Sequence, residues 1–294
     1  MGALAVPGPG GVLGAVGHQR GAPRRAAPRR LRAAERVHLL QPGPADMVRR
    51  VLRLRGGTRF AAGHPSRDPR ASRDPRLPGV ATVTTTRFLL LRHAEATGNL
   101  GGQTQGRIDN QLTDRGRLQA TTVPSSLAPY DPVALYVSPA SRARGTAAPI
   151  AEAYDLAPVI DERLHEVDHG DLDGMGFDEI REHFADFLEQ WRDETFADLR
   201  FPGGESMGEA RVRMLEVLDE AAEQHGAADV VVVSHNMALK SLLTHALGVS
   251  MAAQRRFHLG LASLSVVERR PGEDGGPSRW SVVGLNEQCH LPDE

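Results

Sequence analysis

The segment Phe88-Leu-Leu-Leu-Arg-His-Ala-Glu-Ala-Thr-Gly-Asn99 decides how the rest of the chain is interpreted. Phe88 to Leu91 is wholly apolar, and such a short apolar run is typical of a buried strand in an α/β sheet. Arg92 and His93 follow where this strand ends. Open α/β sheets bind ligands beyond the carboxyl ends of their strands, and a fixed cation beside an imidazole suits a phosphate-like anion. An ordinary solvated strand end is the alternative for this segment taken alone.

Two further apolar runs also end in polar groups. Val133 to Val137 leads into Ser138-Pro139. The next residues, Ala140–Ala147, open a predicted helix through about Tyr154 with Arg142 near its start. A helix N-terminus offers free N–H groups and a positive dipole, and an arginine adds a bidentate donor for phosphate. The second run is four consecutive valines, 230–233, which end at Ser234-His235-Asn236. The three strand ends together predict one anion site.

In these segments and two others the chain resembles the histidine phosphatase superfamily, which includes the phosphoglycerate mutases. The resemblance covers about residues 87–291 in matched order. Two positions depart from the family pattern, because Ala94 and Asn236 stand where glycine is usual. The five segments are Arg92–Asn99, Gln105–Ala120, Ser138–Ala147, Leu164–Gly170 and Ser234–Asn236.

The fold that the resemblance implies is an α/β three-layer sandwich with a mostly parallel central sheet, helices on both faces and a small helical insertion. The order of the predicted strands and helices agrees with it. Thr113 and Ser206 are predicted N-caps, and Ser206 with Glu209 has the spacing of a capping box. We expect the insertion to be helical from Phe177 to about Phe196. A short strand is expected at Pro158–Ile160, and a final pair of strands at Leu261–Val267 and Trp280–Leu285.

The resemblance also implies a two-step phosphoryl transfer without metal or cofactor. His93 is the expected nucleophile and Glu166 the proton donor, while Arg92, Arg142 and His235 would neutralise the charge on the transferring group. Asn99, Gln105 and Gly106 are expected to hold the phosphate by hydrogen bonds. Glu95, Thr97, Arg144 and Asn236 complete the expected binding set, although Arg144 also suits a solvent-facing position. A metal site at His165, His169 and the neighbouring acids is the alternative for that segment.

Charge divides the chain into two parts despite a net charge of −2. Residues 1–86 carry 16 arginines and 4 carboxylates, a net +12, and the remainder carries −14. Prolines and few apolar residues predict that 1–86 is a disordered Arg/Pro/Gly-rich extension, so 87–294 is the expected catalytic domain. A nucleic-acid-binding tail and a transit peptide are alternatives to a functionless extension, which would include one joined by a misplaced start.

The single cysteine, Cys289, excludes an internal disulfide framework and fits a cytoplasmic protein. No apolar run approaches the length of a membrane span. The expected partner is a small phosphorylated substrate. We expect no membrane partner and no nucleic acid, and a homodimer is compatible with the sequence.

The function that these features indicate is a phosphomonoester hydrolase acting through a phosphohistidine on a small phosphorylated metabolite. A cofactor-dependent phosphoglycerate mutase is the enzymatic alternative. A non-catalytic phospho-ligand-binding protein with a nucleic-acid-binding basic tail is the other alternative. The acidic insertion favours hydrolysis over mutase chemistry, because it should repel a second anionic group.

Overall fold

Six strands form one sheet in the part of the chain that the computed structural model describes, residues 85–193 and 198–292. Their order across the sheet is β3-β2-β4-β1-β5-β6. The first four in this order are mutually parallel, whereas β5 runs antiparallel to β1 and β6 antiparallel to β5. The strands are β1 (Thr86–Arg92), β2 (Pro132–Val137), β3 (Pro158–Ile160), β4 (Asp229–Ser234), β5 (Leu264–Arg270) and β6 (Arg279–Glu287).

Helices cover both faces of this sheet, which confirms the predicted three-layer α/β architecture. One face packs on α2 and α3, and the other on α6 and α7. The α-helices within the described ranges are α1 (Thr97–Leu100), α2 (Asp114–Ser126), α3 (Ser141–Tyr154), α4 (Phe177–His183), α5 (Ala185–Arg192), α6 (Met207–His225) and α7 (Asn236–Ala246). None of them combines the length and the hydrophobicity that crossing a membrane requires.

The central strands β1 and β4 are apolar on both sides because helices bury both of their faces. Phe88 and Leu90 pack toward α6 and α7, whereas Leu89 and Leu91 pack toward α2 and α3. The valines of β4 divide between the two faces in the same alternating way. This period of two, repeated in neighbouring strands, fixes the register of the sheet and so the level at which the strands end.

Two predicted N-caps are confirmed by their hydrogen bonds. The Thr113 hydroxyl accepts from the N–H of Gly116 at the start of α2. Ser206 and Glu209 form the reciprocal capping box at the start of α6. Several boundaries differ from the prediction: β1 begins at Thr86, one residue before the expected domain start, β5 is Leu264–Arg270 rather than Leu261–Val267, and β6 is Arg279–Glu287 rather than Trp280–Leu285.

The insertion between β3 and α6 differs from the expected single run of helix. It contains two short helices, α4 and α5, separated at Phe184, and the expected end at Phe196 lies outside the described residues. Its apolar side chains pack in one cluster with residues outside the insertion, among them Val167, Met207 and Ala210. The two ends of the insertion meet, because Asp171 donates to the carbonyl of Pro202 (2.8 Å) and Glu205 to that of Asp168 (3.1 Å). We call this closed base, Asp168–Asp171 with Pro202–Glu205, the stem.

The predicted extension 1–86 lies outside the described residues except for its last two positions. Its predicted disorder therefore stays a prediction.

Candidate active site

The carboxyl ends of three neighbouring parallel strands bring the predicted catalytic side chains together. His93 follows β1, His235 follows β4, and Ser138 follows β2. Backbone hydrogen bonds tie these ends across the sheet: His93 donates to the carbonyl of Ser234 and Ser138 to that of Val233, each at 3.0 Å. The site therefore lies at the edge of the sheet where ligands are expected.

His93 is buried, with 3% of its surface exposed, and its ring has a defined tautomer. Nδ1 lies 2.8 Å from the carbonyl oxygen of Ala94. A carbonyl only accepts, so Nδ1 carries the hydrogen and Nε2 keeps its lone pair in the neutral ring. Burial, and then the charges of Arg92 and Arg142, lower the pKa of His93 well below its ordinary value. The ring is therefore neutral at physiological pH, and its Nε2 lone pair is free.

Ala94, at the position where the family pattern has glycine, is accommodated by the core. Its methyl group belongs to the apolar cluster under α2 and α3, and the residue is fully buried. Its N–H donates to the hydroxyl of Thr146 in α3 (2.9 Å). Alanine at this position therefore adds a packed methyl group, and the hydrogen bond from His93 Nδ1 to the Ala94 carbonyl is still formed.

His235 is a second buried imidazole beside the first. Its ring centroid lies 5.2 Å from that of His93, and its Nε2 lies 2.7 Å from Ser138 Oγ. Its Nδ1 is buried and has no hydrogen-bond partner within the described ranges. Burial, followed by Arg142 and His93, lowers the pKa of His235 well below its ordinary value. A ligand oxygen is the partner that this unpaired nitrogen lacks.

Arg92 and Arg142 supply fixed positive charge to the site. Arg142 donates to the carbonyls of Ile108 (2.8 Å) and Gly106 (3.2 Å), and Arg92 to the carbonyl of Leu259 (2.6 Å). Neither pairs with a carboxylate in the described part of the chain, and the Nε of each is buried without a partner there. Burial is the main cause that lowers the pKa of both guanidinium groups. Two unneutralised guanidinium groups favour a bound anion.

Glu166 is held at the N-terminus of α7. Its Oε1 accepts from the N–H groups of Val167 (2.9 Å), Ala238 (2.9 Å) and Met237 (3.1 Å). Among the described residues, its Oε2 accepts only from Met237, at 3.1 Å. The helix dipole suits a carboxylate in this place, and Oε2 has free capacity for a proton.

Arg213 in α6 braces the loop that carries Glu166, a role that sequence reasoning missed. It donates to the backbone carbonyls of His165 (2.7 Å) and Glu166 (3.0 Å), and its Nε donates to Glu205 (3.1 Å). The only advance signal was an arginine on a face of α6 that also carries core residues. One side chain thus connects α6, the stem and the loop after β3, residues 161–169, which we call the catalytic loop because it carries the predicted proton donor Glu166.

Gly106 lies against the catalytic loop, but its N–H is already engaged. It donates to Asp173 Oδ1 (2.7 Å), and the N–H groups of Arg107 and Ile108 donate to Oδ2 of the same carboxylate (2.6 and 2.8 Å). A Cβ at Gly106 would stand 2.8 Å from the backbone nitrogen of His169, so only glycine fits. Its expected bond to phosphate requires Asp173 to release this N–H.

Most of the other predicted binding residues take part in local hydrogen bonds. The Glu95 carboxylate accepts from Thr113 (2.6 Å) and Arg115 (3.1 Å), and Asn99 accepts from the N–H of Ala96 (2.8 Å). Their placement fits support of the loop after His93. The side chains of Thr97 and Gln105 contact that of Asn110, at 3.1 and 3.4 Å respectively. Arg144 is exposed on α3, and Asn236 is the first residue of α7.

Two more histidines surround the site. His165 stacks on His235 with centroids 6.2 Å apart and planes within 10°. His169 is buried against Phe201 (4.7 Å), and neither of its ring nitrogens has a partner within the described ranges. Burial lowers the pKa of both. In the described part of the chain, no group of three or more His, Cys, Asp or Glu side chains is placed to hold a metal ion.

Comparison with known families gives one match that spans most of the described chain. Residues 88–286 match the histidine phosphatase superfamily, branch 1. The match includes every predicted catalytic residue.

The named relatives include phosphatases and probable phosphoglycerate mutases. Phosphoserine phosphatase 1 of Hydrogenobacter thermophilus is 33% identical over 205 residues, covering 70% of this chain and 94% of its own. A probable phosphoglycerate mutase of Yersinia enterocolitica is also 33% identical over 205 residues, covering 69% and 93%. Among solved structures, mycobacterial glucosyl-3-phosphoglycerate phosphatase superposes with a TM-score of 0.63 and 26% identity, covering 69% of this chain and all of its own.

Proposed function

The chain belongs to the histidine phosphatase superfamily, and from this premise we propose that it hydrolyses a small phosphorylated metabolite through a phosphohistidine on His93. The observation that carries the proposal is the state of the His93 ring. Its Nδ1 hydrogen is committed to the Ala94 carbonyl, and burial beside two guanidinium groups keeps the ring neutral. Nε2 is therefore a lone-pair donor facing a cationic site.

In the first step, the Nε2 lone pair of His93 forms a bond to phosphorus as the ester P–O bond breaks. The electron pair of that bond leaves with the ester oxygen, which takes a proton from the carboxyl group of Glu166. Oε2 is the oxygen suited to this transfer, because Oε1 already accepts three N–H bonds. Arg92, Arg142 and His235 stabilise the charge on the equatorial phosphoryl oxygens.

In the second step, water attacks the phosphohistidine. Its oxygen forms the new P–O bond, its proton passes to Glu166, and the P–N electron pair returns to His93. Inorganic phosphate leaves, and Glu166 is again protonated for the next substrate. Both steps use only groups of the chain and water.

The substrate class that we propose is a small phosphomonoester. The named relatives support it, since they include a phosphoserine phosphatase and a glucosyl-3-phosphoglycerate phosphatase. The acidic insertion supports hydrolysis rather than transfer back to a second acceptor. Between Phe177 and Glu205, the described residues of the insertion include eight carboxylates and three arginines: Asp178, Glu179, Glu182, Asp186, Glu189, Asp193, Asp198 and Glu205, with Arg181, Arg192 and Arg200.

The remaining expectations are part of the same proposal. We place the activity in residues 87–294, in a cytoplasmic protein whose partner is its small substrate. A homodimer and the role of residues 1–86 stay predictions.

The experiment is to trap the intermediate. Protein is mixed with p-nitrophenyl [³²P]phosphate, quenched in alkali, digested and mapped by mass spectrometry. We expect label on His93 alone, and neither label nor turnover in His93→Asn. His183→Asn, which changes an exposed histidine of α4, is the matched control and should behave like the parent protein. Label on His235, or label retained by His93→Asn, would contradict the assignment.

A further inference from the structure

Helix α7 presents two polar side chains beside the catalytic centre that the proposed reaction does not use. Asn236 is its first residue and Lys240 lies four positions later, so both occupy one face of the helix. With Met237 they are the half-buried residues of α7, whereas Leu239 and its neighbours are buried in the core.

The position of this face is fixed by Glu166. The N–H groups of Met237 and Ala238 bind the Glu166 carboxylate, so the first turn of α7 is part of the site. Lys240 lies about 6 Å further along the axis, at about 1.5 Å per residue, and helical side chains lean back toward the N-terminus. Its long side chain therefore extends toward the catalytic end of the helix.

Within the described ranges, one polar atom of Asn236 lacks a hydrogen-bond partner and the Lys240 ammonium lacks a carboxylate partner. The Oδ1 atom of Asn236 is buried and accepts no hydrogen bond. The Lys240 ammonium lies 5.7 Å above the ring of Phe257 and forms no ion pair with a described carboxylate. Burial lowers the pKa of Lys240 and Arg92 lowers it further, whereas Glu166 raises it. A half-buried cation without a counter-ion is costly unless a ligand supplies one.

We propose that Lys240 and Asn236 form a subsite for the non-phosphate end of the substrate, which is a phosphorylated hydroxy acid or amino acid. The Lys240 ammonium donates to the carboxylate, and Asn236 Oδ1 accepts from the adjacent hydroxyl or ammonium group. This assignment rests on the proposed function, because it assumes that the phosphate sits against His93.

The charges around the subsite favour a carboxylate over a second phosphate. One ammonium balances the single charge of a carboxylate, whereas a phosphate dianion would need more. The neighbouring insertion carries an excess of carboxylates, which repel a dianion more strongly than a monoanion.

Kinetic discrimination tests the subsite in the full-length chain. Two ratios are measured: kcat/KM for 3-phosphoglycerate and kcat/KM for O-phosphoserine, each divided by kcat/KM for glycerol 3-phosphate, which lacks the carboxylate. Lys240→Met should lower the ratios by about 10- to 100-fold, the usual worth of a hydrogen bond to a charged group. Lys240→Arg should restore most of the discrimination. Arg279→Met, an exposed cation on β6, is the control and should leave the ratios unchanged.

A binding measurement separates the subsite from the chemistry. Lys240 is the only lysine of the chain, so reductive methylation with ¹³C-formaldehyde labels one side-chain amine besides the N-terminus. In the His93→Asn protein, 3-phosphoglycerate should shift this NMR signal and raise the pKa of the amine, and glycerol 3-phosphate should do neither.

An unmoved amine signal at saturating 3-phosphoglycerate, or ratios unaffected by Lys240→Met, would overturn the subsite. Absence of p-nitrophenyl phosphate turnover in the parent protein would instead contradict the proposed function. A shift of the amine signal would support the subsite even then, because the binding measurement needs no turnover.

Discussion

At the scale of single residues, the chemistry of the site depends on which donor and acceptor atoms already have hydrogen-bond partners. His93 has one ring nitrogen engaged by Ala94, and Glu166 has one carboxyl oxygen engaged by three N–H groups. The remaining atoms, Nε2 of His93 and Oε2 of Glu166, are the ones that the proposed reaction uses. This local commitment orients each group before a substrate arrives, which is the preorganisation that phosphoryl transfer requires.

Glu166→Gln should lower kcat by roughly 10²- to 10⁴-fold, the usual worth of a general acid–base group. The amide can still accept from the N-terminus of α7, so the fold should be retained. The measurement is the pH–rate profile with p-nitrophenyl phosphate, together with the thermal midpoint. A variant with the profile of the parent protein would show that another carboxylate transfers the proton.

At the scale of elements, the catalytic loop after β3 depends on α6. Arg213 reaches two of its carbonyls and Glu205 in the stem at once, which a lysine cannot do with a single ammonium. Replacing Arg213 with lysine should therefore displace the loop although the positive charge is retained.

Arg213→Lys should lower kcat by about 10- to 100-fold, because small displacements of a catalytic group cost rate on that scale. The matched change Arg211→Lys, on the same helix, should have little effect. The measurement is kcat and KM with p-nitrophenyl phosphate. Unchanged kcat for Arg213→Lys would mean that the loop holds Glu166 without the brace.

The sequence predicts elements where a local pattern is sufficient, as at Thr113 and the valines of β4. The break at Phe184 could not be predicted, because the apolar spacing of the insertion continues through it. The catalytic residues could be named from their segments, but their partners are distant in the chain. Glu166 meets residues 71 and 72 positions away, and Asp173 meets Gly106 across 67. Only tertiary packing determines such pairs.

At the scale of the whole molecule, buried neutral histidines link stability to pH. Burial is the main cause that lowers the folded-state pKa of His93, His165, His169 and His235. Between the folded and the unfolded pKa the unfolded chain binds more protons, so stability rises with pH. The gain should end near the unfolded value of about 6.5.

We therefore expect the thermal midpoint to rise from pH 5 to about 6.5 and then level off. Each fully buried histidine contributes up to about 1.4 kcal/mol per pH unit in that window. His235→Gln should flatten the rise, while the exposed-site change His183→Asn should not. The measurement is calorimetry in buffers of equal ionic strength, and a midpoint independent of pH in this window would contradict the prediction.

The negative charge of the insertion predicts that water, rather than a second substrate, receives the phosphoryl group of the phosphohistidine. With 3-phosphoglycerate and catalytic 2,3-bisphosphoglycerate, phosphate release should be faster than formation of 2-phosphoglycerate. The reason is that the acidic insertion disfavours a second phosphorylated ligand and leaves water to attack. Both products are followed by NMR. Isomerisation much faster than phosphate release would establish the mutase alternative.

The stem of the insertion has an evolutionary consequence. Its backbone bonds close the insertion at its base, and Gly170, with φ of +52°, lies so close to Pro202 that a Cβ would stand 2.1 Å from its carbonyl oxygen. The segment between Asp173, whose carboxylate holds the Gly106 loop, and Pro202 can therefore change in length and charge while the chain still enters and leaves at the same points. The framework that carries His93 can be inherited unchanged as this module diversifies, so new substrate preferences can arise without a new catalytic centre.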